Sequence, residues 1–207
     1  MVTRKSRRRI GMAFWGVIIT GFCVGGLQKA NFGTDPFTCF VTGIALLFGT
    51  SYSVFYVVVT GIFLGGVFVT QRHYIGGATV INLLLTGPAA GVAHSFLNML
   101  MPHPGVSARL MVMGGALVVM CFSSALYFTA DIGVSAYDAW ALMAANDYHL
   151  TPFRVARVVS DSTCVLIGFL CGVMPGIGTI ITALCMGPLT SFFRSRVTEP
   201  FLAAVAD

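Results

Sequence analysis

The acidic residues inside the apolar stretches of this chain are the first candidates for chemistry. The chain has 207 residues, of which 57% are hydrophobic and only 9% are charged. Asp161 lies within the apolar stretch "RVVSDSTCVLIGF". A carboxylate inside a membrane span is costly unless it faces a partner or water, so such a residue is a functional candidate. The alternative is a helix-end ion pair with Arg157, four residues earlier.

A second set of polar residues interrupts the apolar sequence at two places. The interruptions read "ANFGTDPF" at residues 30–37 and "ADIGVSAYD" at residues 130–138. We call residues 31–35 the first break and residues 131–135 the second break. Each contains a glycine that permits backbone angles other residues resist. Both segments are therefore predicted to be unwound.

Each break is followed by residues that favour the start of a helix. Asp35 and Pro36 fit the positions before and at the first helical residue, and Ser135 with Asp138 fits a capping box. Unwound backbone at membrane depth is tolerated only where it is buried in protein or lines a wet cavity. Paired interrupted helices are a sequence sign of a transporter site. The alternative is two interfacial loops that only turn the chain.

The predicted substrate site contains residues of the breaks, of the short helices after them and of two longer segments. Tyr137 and Trp140 offer rings that can stack on a ligand. The acids of the breaks and spans outnumber Lys29, which favours a cationic or zwitterionic substrate or proton coupling. The candidate substrate-binding residues are Asn31, Asp35, Phe37, Thr38, Asn82, Asp131, Ser135, Tyr137, Asp138, Trp140 and Asp161.

Several other kinds of site have no sequence support. The six cysteines show no C-x-x-C pair, and the histidines share no ligand spacing, so we expect neither a metal nor another cofactor. No nucleophile–base pair or phosphate-binding glycine loop is present, so we do not expect an enzyme. Basic residues beyond the N-terminus form no further basic surface, which argues against a nucleic-acid partner.

The elements that must position these residues are helices of a polytopic membrane protein. Mean hydropathy is +0.88, and the charged fraction is far below the roughly 25% of soluble domains. Apolar segments are predicted at 10–29, 36–48, 52–71, 76–100, 109–129, 135–147, 153–172 and 176–195. The lipid bilayer is thus an expected partner.

The second half of the chain repeats the first at an offset of 100 residues. "GGATVINLLLTGP" lies over "GIGTIITALCMGP", and "ANFG" lies over "ADIG". The pattern predicts a tandem duplication. The predicted parts are a basic N-terminal segment (1–9), a first transmembrane repeat (10–101), a second one (108–197) and a C-terminal tail (198–207).

Two topologies fit the segment lengths. The second segment of each half is too short to cross about 30 Å of hydrocarbon. If these segments are re-entrant or interrupted, the fold is an inverted repeat of six spanning helices plus two short ones. If they cross, it has eight helices in a parallel 4+4 repeat. Segment length favours the inverted repeat, and the basic residues at 4–9 favour cytoplasmic termini.

The duplicated break, A-x-x-G-x-x-(P/A)-aromatic, with a later G-P helix and a basic N-terminus, resembles the YczE/YitT family of bacterial membrane proteins. The resemblance covers nearly the whole chain. That family's first break often reads G-x-x-P-W-D, whereas here Pro36–Phe37 stands in one half and Tyr137–Asp138 in the other. The resemblance implies a membrane architecture in the bacterial inner membrane rather than a particular activity.

Two functions follow as hypotheses. The first is a small secondary transporter or facilitator of a small polar metabolite, with a midplane site between the repeats. The second is a substrate-binding or regulatory membrane subunit of a larger uptake complex. A homodimer or a separate energising complex is a further expected partner.

Overall fold

The computed structural model describes residues 4–50 and 52–203. Residues 1–3 of the predicted N-terminal segment, residue 51 and residues 204–207 of the predicted tail lie outside the described residues. Within the described ranges the chain is helical and contains no strand. The predicted all-helical class is confirmed for this part of the chain.

The helix bounds follow the apolar segments closely. The helices are α1 (Arg4–Ala30), α2 (Pro36–Leu47), α3 (Tyr52–Thr70), α4 (Gly77–Leu100), α5 (Val106–Ala130), α6 (Ala136–Leu142), α7 (Phe153–Leu170), α8 (Ile177–Phe193) and α9 (Glu199–Ala203). A 3-10 turn, Arg72–Tyr74, precedes α4. One π-helical turn, Met143–Asp147, extends α6, and another, Arg194–Thr198, joins α8 to α9.

The start of α2 follows directly from its sequence. Asp35 is the N-cap, and its carboxylate accepts hydrogen bonds from the Thr38 backbone N–H at 3.1 Å and the Thr38 hydroxyl at 2.7 Å. Pro36 occupies the first turn, where its missing N–H costs nothing. The predicted helix start at Asp35–Pro36 is confirmed.

Both breaks have the same backbone form. Asn31 ends α1 and Asp131 ends α5, each with φ 52°. Gly33 and Gly133 follow with φ 122° and 108°. These left-handed angles favour glycine and asparagine or aspartate, which stop a helix without a bulky side chain. The predicted unwinding after α1 and after α5 is therefore present.

Four helices of the described chain are long and apolar enough to cross a membrane. Their ranges are Arg7–Ala30, Gly77–Leu100, Val106–Ala130 and Ile177–Ala203. This indicates a helical membrane protein. The apolar helices Pro36–Leu47 and Val54–Thr70 are shorter, and α7 carries Arg154, Arg157 and Asp161 within 18 residues. Whether α3 and α7 also cross stays a prediction.

The chain divides into two compact units, and each draws on both sequence halves. Unit 1 consists of Met1–Ala30, His73–Ser135 and Pro188–Asp207. Unit 2 consists of Asn31–Arg72 and Ala136–Gly187. Unit 1 therefore contains α1, α4 and α5, and unit 2 contains α2, α3, α6 and α7.

In unit 1, α1 and α5 lie antiparallel. The Thr20 and Ser123 hydroxyls meet at 2.8 Å in the middle of the pair. At one end, Arg109 near the start of α5 donates from Nε to the Ala30 carbonyl at 2.7 Å. At the other, Arg9 near the start of α1 lies 3.8 Å from the Asp131 carboxylate at the end of α5.

In unit 2, short side chains let the helices approach closely. α2 packs against α3 and α7, and α6 packs against α3 and α7. A Cβ on Gly43 would lie 2.9 Å from the Gly168 Cα, and one on Gly168 would lie 2.8 Å from the Cys39 sulfur. Such small residues are the usual means of close helix contact in membranes. The contacts hold α7 and its acidic residue against α2.

Candidate functional site

A buried ion-pair network lies where α6 meets α7 in unit 2. Arg157 Nε donates to Asp161 Oδ2 at 3.1 Å, one helical turn along α7. The same guanidinium donates from its NH1 to Asp138 Oδ1 on α6. The Asp161 side chain has no solvent exposure, and those of Arg157 and Asp138 are 9% and 10% exposed. One cation thus bridges two carboxylates.

Tyr137 completes this network from α6. Its hydroxyl donates to Asp161 Oδ1 at 2.5 Å, so both oxygens of Asp161 accept a hydrogen bond. The Arg157 guanidinium also lies over the Tyr137 ring, 4.6 Å from its centroid. The ring therefore contributes a cation–π contact while its hydroxyl binds the carboxylate. We call Tyr137, Asp138, Arg157 and Asp161 the acid–arginine network.

An aromatic cluster in the same unit continues from Tyr137. Phe37 stacks on Tyr137 with ring centroids 4.9 Å apart. Phe63 lies edge-on to Phe37 at 6.0 Å and to Trp140 at 6.1 Å. Gly66 permits this, because a Cβ there would lie 2.6 Å from the Trp140 ring. The predicted residues Phe37, Tyr137 and Trp140 are thus brought together with a charged network at one edge.

The first break is bound by the start of α8 within unit 2. The Gly178 N–H donates to the Phe32 carbonyl at 2.9 Å. The Thr179 hydroxyl donates to the Thr34 carbonyl at 2.6 Å. The peptide groups that unwinding releases from α1 therefore find partners at a helix N-terminus.

The second break is bound in the same way by the start of α4 within unit 1. The Ala78 N–H donates to the Ile132 carbonyl at 3.1 Å, and the Thr79 hydroxyl donates to the Val134 carbonyl at 2.8 Å. These residue numbers differ from those at the first break by 100 in every case. The Val134 N–H also donates to the Tyr74 carbonyl at 2.9 Å.

The other predicted site residues have different surroundings in their own units. In unit 2, Asn31 is exposed, and Asp35 with Thr38 is engaged in the cap of α2. In unit 1, the Asp131 side chain is 70% exposed beside Arg9. Asn82 in α4 and Ser135 at the end of the second break are half-buried.

The burial of Arg157 does not follow from the positive-inside rule, by which Arg154 and Arg157 would both be inside-face anchors. Arg154 is exposed, as an anchor should be, but Arg157 is buried between two carboxylates. The sequence feature that predicts its pairing is its spacing of four residues from Asp161, and that ion pair is confirmed. Phe63 and the two threonines that bind the breaks carry no comparable signal.

No metal-binding arrangement is found in the part of the chain that the structure describes. Groups of three or more histidine, cysteine or acidic side chains that could hold a metal ion are absent there. The network has only two carboxylates, and each of them already binds Arg157.

A profile described as "Family of unknown function (DUF6198)" matches residues 7–195, which include both breaks and the whole network. The chain belongs to this family. It is also similar to an "Uncharacterized protein" of Haemophilus influenzae, with 24% identity over 194 residues. That match covers 93% of this chain and 86% of the relative. No solved structure gives a significant match.

Proposed function

We propose that the protein is a small secondary transporter or facilitator of a small polar metabolite, cationic or zwitterionic. The observation that carries the proposal is the acid–arginine network, which holds two acidic side chains and one basic side chain nine-tenths or more buried. Ionisable groups inside membrane helices are expensive and mark substrate or ion pathways. The network carries one negative charge more than positive charge, so an added cation is the ligand it favours.

The aromatic cluster supports the same substrate class. The rings of Phe37 and Tyr137 are stacked, and Tyr137 already holds a guanidinium over its face. Aromatic faces attract ammonium and guanidinium groups. A substrate with a positive group and a small apolar part would meet the carboxylates with the first and the rings with the second.

We further propose that the fold is an inverted repeat with six crossings. The antiparallel pair α1 and α5 supports this, because equivalent helices of a parallel repeat would run the same way. The reciprocal hydrogen bonds of the breaks, Thr179 to Thr34 and Thr79 to Val134, support the duplication. Inverted repeats with broken helices are a common architecture of secondary transporters.

The YczE/YitT resemblance and the positive N-terminal segment support a place in the bacterial inner membrane with both termini in the cytoplasm. In this arrangement each unit combines equivalent helices of the two repeats. The substrate site would lie in unit 2, between α2 of the first repeat and α6 and α7 of the second.

A binding screen tests the substrate class. We would measure the thermal unfolding midpoint of the purified protein in detergent with choline, guanidinium, methylammonium and glycine betaine, and with acetate and lactate as anions. We expect at least one of the cations or the zwitterion to raise the midpoint by preferential binding to the folded state. Stabilisation by the anions alone would contradict the proposal.

Matched variants locate the binding in that screen. Asp161→Asn removes a network charge, whereas Asp131→Asn removes an exposed carboxylate in unit 1. The cation-induced rise should vanish in the first variant and persist in the second. A rise that survives Asp161→Asn unchanged would place the ligand elsewhere.

A further inference from the structure

The side chain of Arg157 makes the contacts that a bound guanidinium compound would make. Its Nε donates to Asp161 Oδ2 at 3.1 Å, and its NH1 nitrogen donates to Asp138 Oδ1. The same group lies over the Tyr137 ring, 4.6 Å from the ring centroid. Carboxylates and aromatic faces are the groups with which proteins recognise a guanidinium ion. The network therefore has the composition of a receptor site whose occupant is part of the chain.

The geometry of these contacts selects a planar cation. Two different nitrogens of Arg157 each donate to a different carboxylate, while the group as a whole lies over Tyr137. A quaternary ammonium has no N–H to donate, and a primary ammonium offers all its donors from one nitrogen. A planar group with N–H donors on separate nitrogens makes the three contacts together. Guanidinium and amidinium ions are of this kind.

The four members of the network are not needed to build a helix pair of this type. At an offset of 100 residues, the chain has uncharged residues in their places, namely Phe37, Thr38, Val57 and Gly61. With those residues, α2 packs against α3, as α6 packs against α7. Buried charges are costly in membrane helices and mark substrate or ion sites. The charge set is therefore better explained by binding than by helix packing.

Arg157 is placed so that its charged end can leave the network while its helix stays in position. It lies four residues after Phe153, the first residue of α7, and thus about 6 Å along the axis from the helix start. A Cβ on Gly187 of α8 would lie 3.1 Å from the Arg157 Cβ, so the helix is closely packed at this turn. Arg154, three residues earlier, is exposed. The flexible arginine stem therefore allows the guanidinium to turn toward the exposed start of α7.

We propose that Arg157 is a built-in substitute for the substrate, whose own guanidinium or amidinium group takes its place. The incoming group binds Asp138 and Asp161 and lies over Tyr137, and the Arg157 side chain turns toward the start of α7. One cation replaces another, so the charge at the carboxylates is unchanged by the exchange. This deepens the proposed function and rests on it for transport, whereas the exchange itself is measured by binding.

Binding of ethylguanidinium tests the exchange, because this ion matches the part of the Arg157 side chain beyond its Cβ. Titration calorimetry of the purified protein in detergent would give its dissociation constant, with methylammonium and choline as comparison cations. The wild-type protein should bind ethylguanidinium more tightly than either of them. Asp161→Asn should weaken this binding about tenfold or more, because a charged contact is lost. Asp131→Asn, which changes an exposed carboxylate in unit 1, should bind as the wild type does.

Removal of the resident group should strengthen the same binding. A side chain that leaves one site in ten free lowers the apparent affinity of a competing ligand about tenfold. Arg157→Ala should therefore bind ethylguanidinium about tenfold more tightly than the wild type, or more. Arg154→Ala, on the same helix but exposed, should not differ from the wild type. If Arg157→Ala fails to fold, Arg157→Lys keeps the charge without the planar fork and should also bind more tightly.

Three results would overturn the exchange. They are binding by Arg157→Ala with none by the wild type, which would make Arg157 a fixed structural cation, equal affinities in the wild type and the Arg157 variants, and tighter binding of methylammonium or choline. Liposomes separate this outcome from that of the proposed function. Ethylguanidinium binding as expected without movement of any cation would retain the exchange and reject the transporter. Movement of choline or methylammonium without ethylguanidinium binding would do the reverse.

Discussion

Arg157 links two acids of unit 2, Asp138 and Asp161, and is the residue on which the site depends most. Its guanidinium binds Asp161 on its own helix and Asp138 on α6, and it rests on the Tyr137 ring. Arginine suits this role because its planar group offers several donors in fixed directions. Loss of this side chain would remove the guanidinium that pairs with both of these buried carboxylates.

Replacing Arg157 tests its role in stability. Arg157→Gln should lower the free energy of unfolding by about 3–5 kcal/mol, since two buried carboxylates lose the guanidinium that pairs with both of them. The control is Arg154→Gln, because Arg154 lies on the same helix but is exposed. This substitution should change the free energy of unfolding by no more than about 0.5 kcal/mol. Thermal or denaturant unfolding in detergent measures both. Equal effects of the two substitutions would show that Arg157 is not paired as described.

At the scale of single residues, the sequence identifies the acidic side chains better than it identifies the residues that form ion pairs with them. Asp161 is visible because a carboxylate interrupts an apolar stretch, and its pair with Arg157 follows from helical spacing. The contact of Arg157 with Asp138 cannot be read from the sequence, since the two are 19 residues apart and meet only when α6 packs on α7. Asp35, by contrast, has a local role that the sequence does predict, as the N-cap of α2.

At the scale of elements, each break depends on a helix N-terminus from the other half of the sequence. The start of α4 holds the second break, and the start of α8 holds the first. Glycine at these starts permits the backbones to touch. A Cβ on Gly76 would collide with the Ile132 carbonyl, and one on Gly176 with the Phe32 carbonyl.

Adjacent glycines give a matched test of this contact. Gly76→Ala should destabilise the protein by about 1–3 kcal/mol, because the added methyl displaces the second break from α4. A Cβ on the next residue, Gly77, would have no atom within 4 Å, so Gly77→Ala should be neutral within about 1 kcal/mol. Unfolding midpoints of the two variants are the measurement. A harmless Gly76→Ala would refute the close approach.

The sequence predicts the positions of the helices well, but it predicts poorly which helices and breaks contact each other. Apolar runs and cap residues locate α2, from Pro36 to Leu47, because both signals are local. The π-helical turn at Met143–Asp147 has no sequence signal that we recognised, since it adds one residue to an ordinary helical pattern. The binding of a break by Thr79 depends on packing across 55 residues of chain.

At the scale of the whole molecule, the direction of α1 and α5 favours an inverted repeat. In that topology, with the N-terminus inside, His103 lies outside and Ser195 lies inside. A parallel repeat of eight crossings places both inside. The antiparallel contacts of Arg109 with Ala30 and of Arg9 with Asp131 are consistent with the first arrangement.

Cysteine labelling distinguishes the two topologies. In a variant without the six native cysteines, His103→Cys should react with a membrane-impermeant maleimide on intact cells. Ser195→Cys, also exposed in the structure, should react only after the membrane is permeabilised. If His103→Cys is protected in intact cells and labelled afterwards, the six-span inverted repeat is wrong.

The most direct test of the account is cation movement by the purified protein alone in liposomes. With an acidic interior, the wild-type protein and Asp131→Asn should accumulate the cation identified by the binding screen. Asp161→Asn should reduce accumulation about tenfold or more, the change expected when one charged interaction of about 1.4 kcal/mol is lost. Binding without any accumulation by the wild-type protein would instead indicate a subunit of a larger uptake complex. Wild-type accumulation by Asp161→Asn would contradict the acid–arginine network as the transport site.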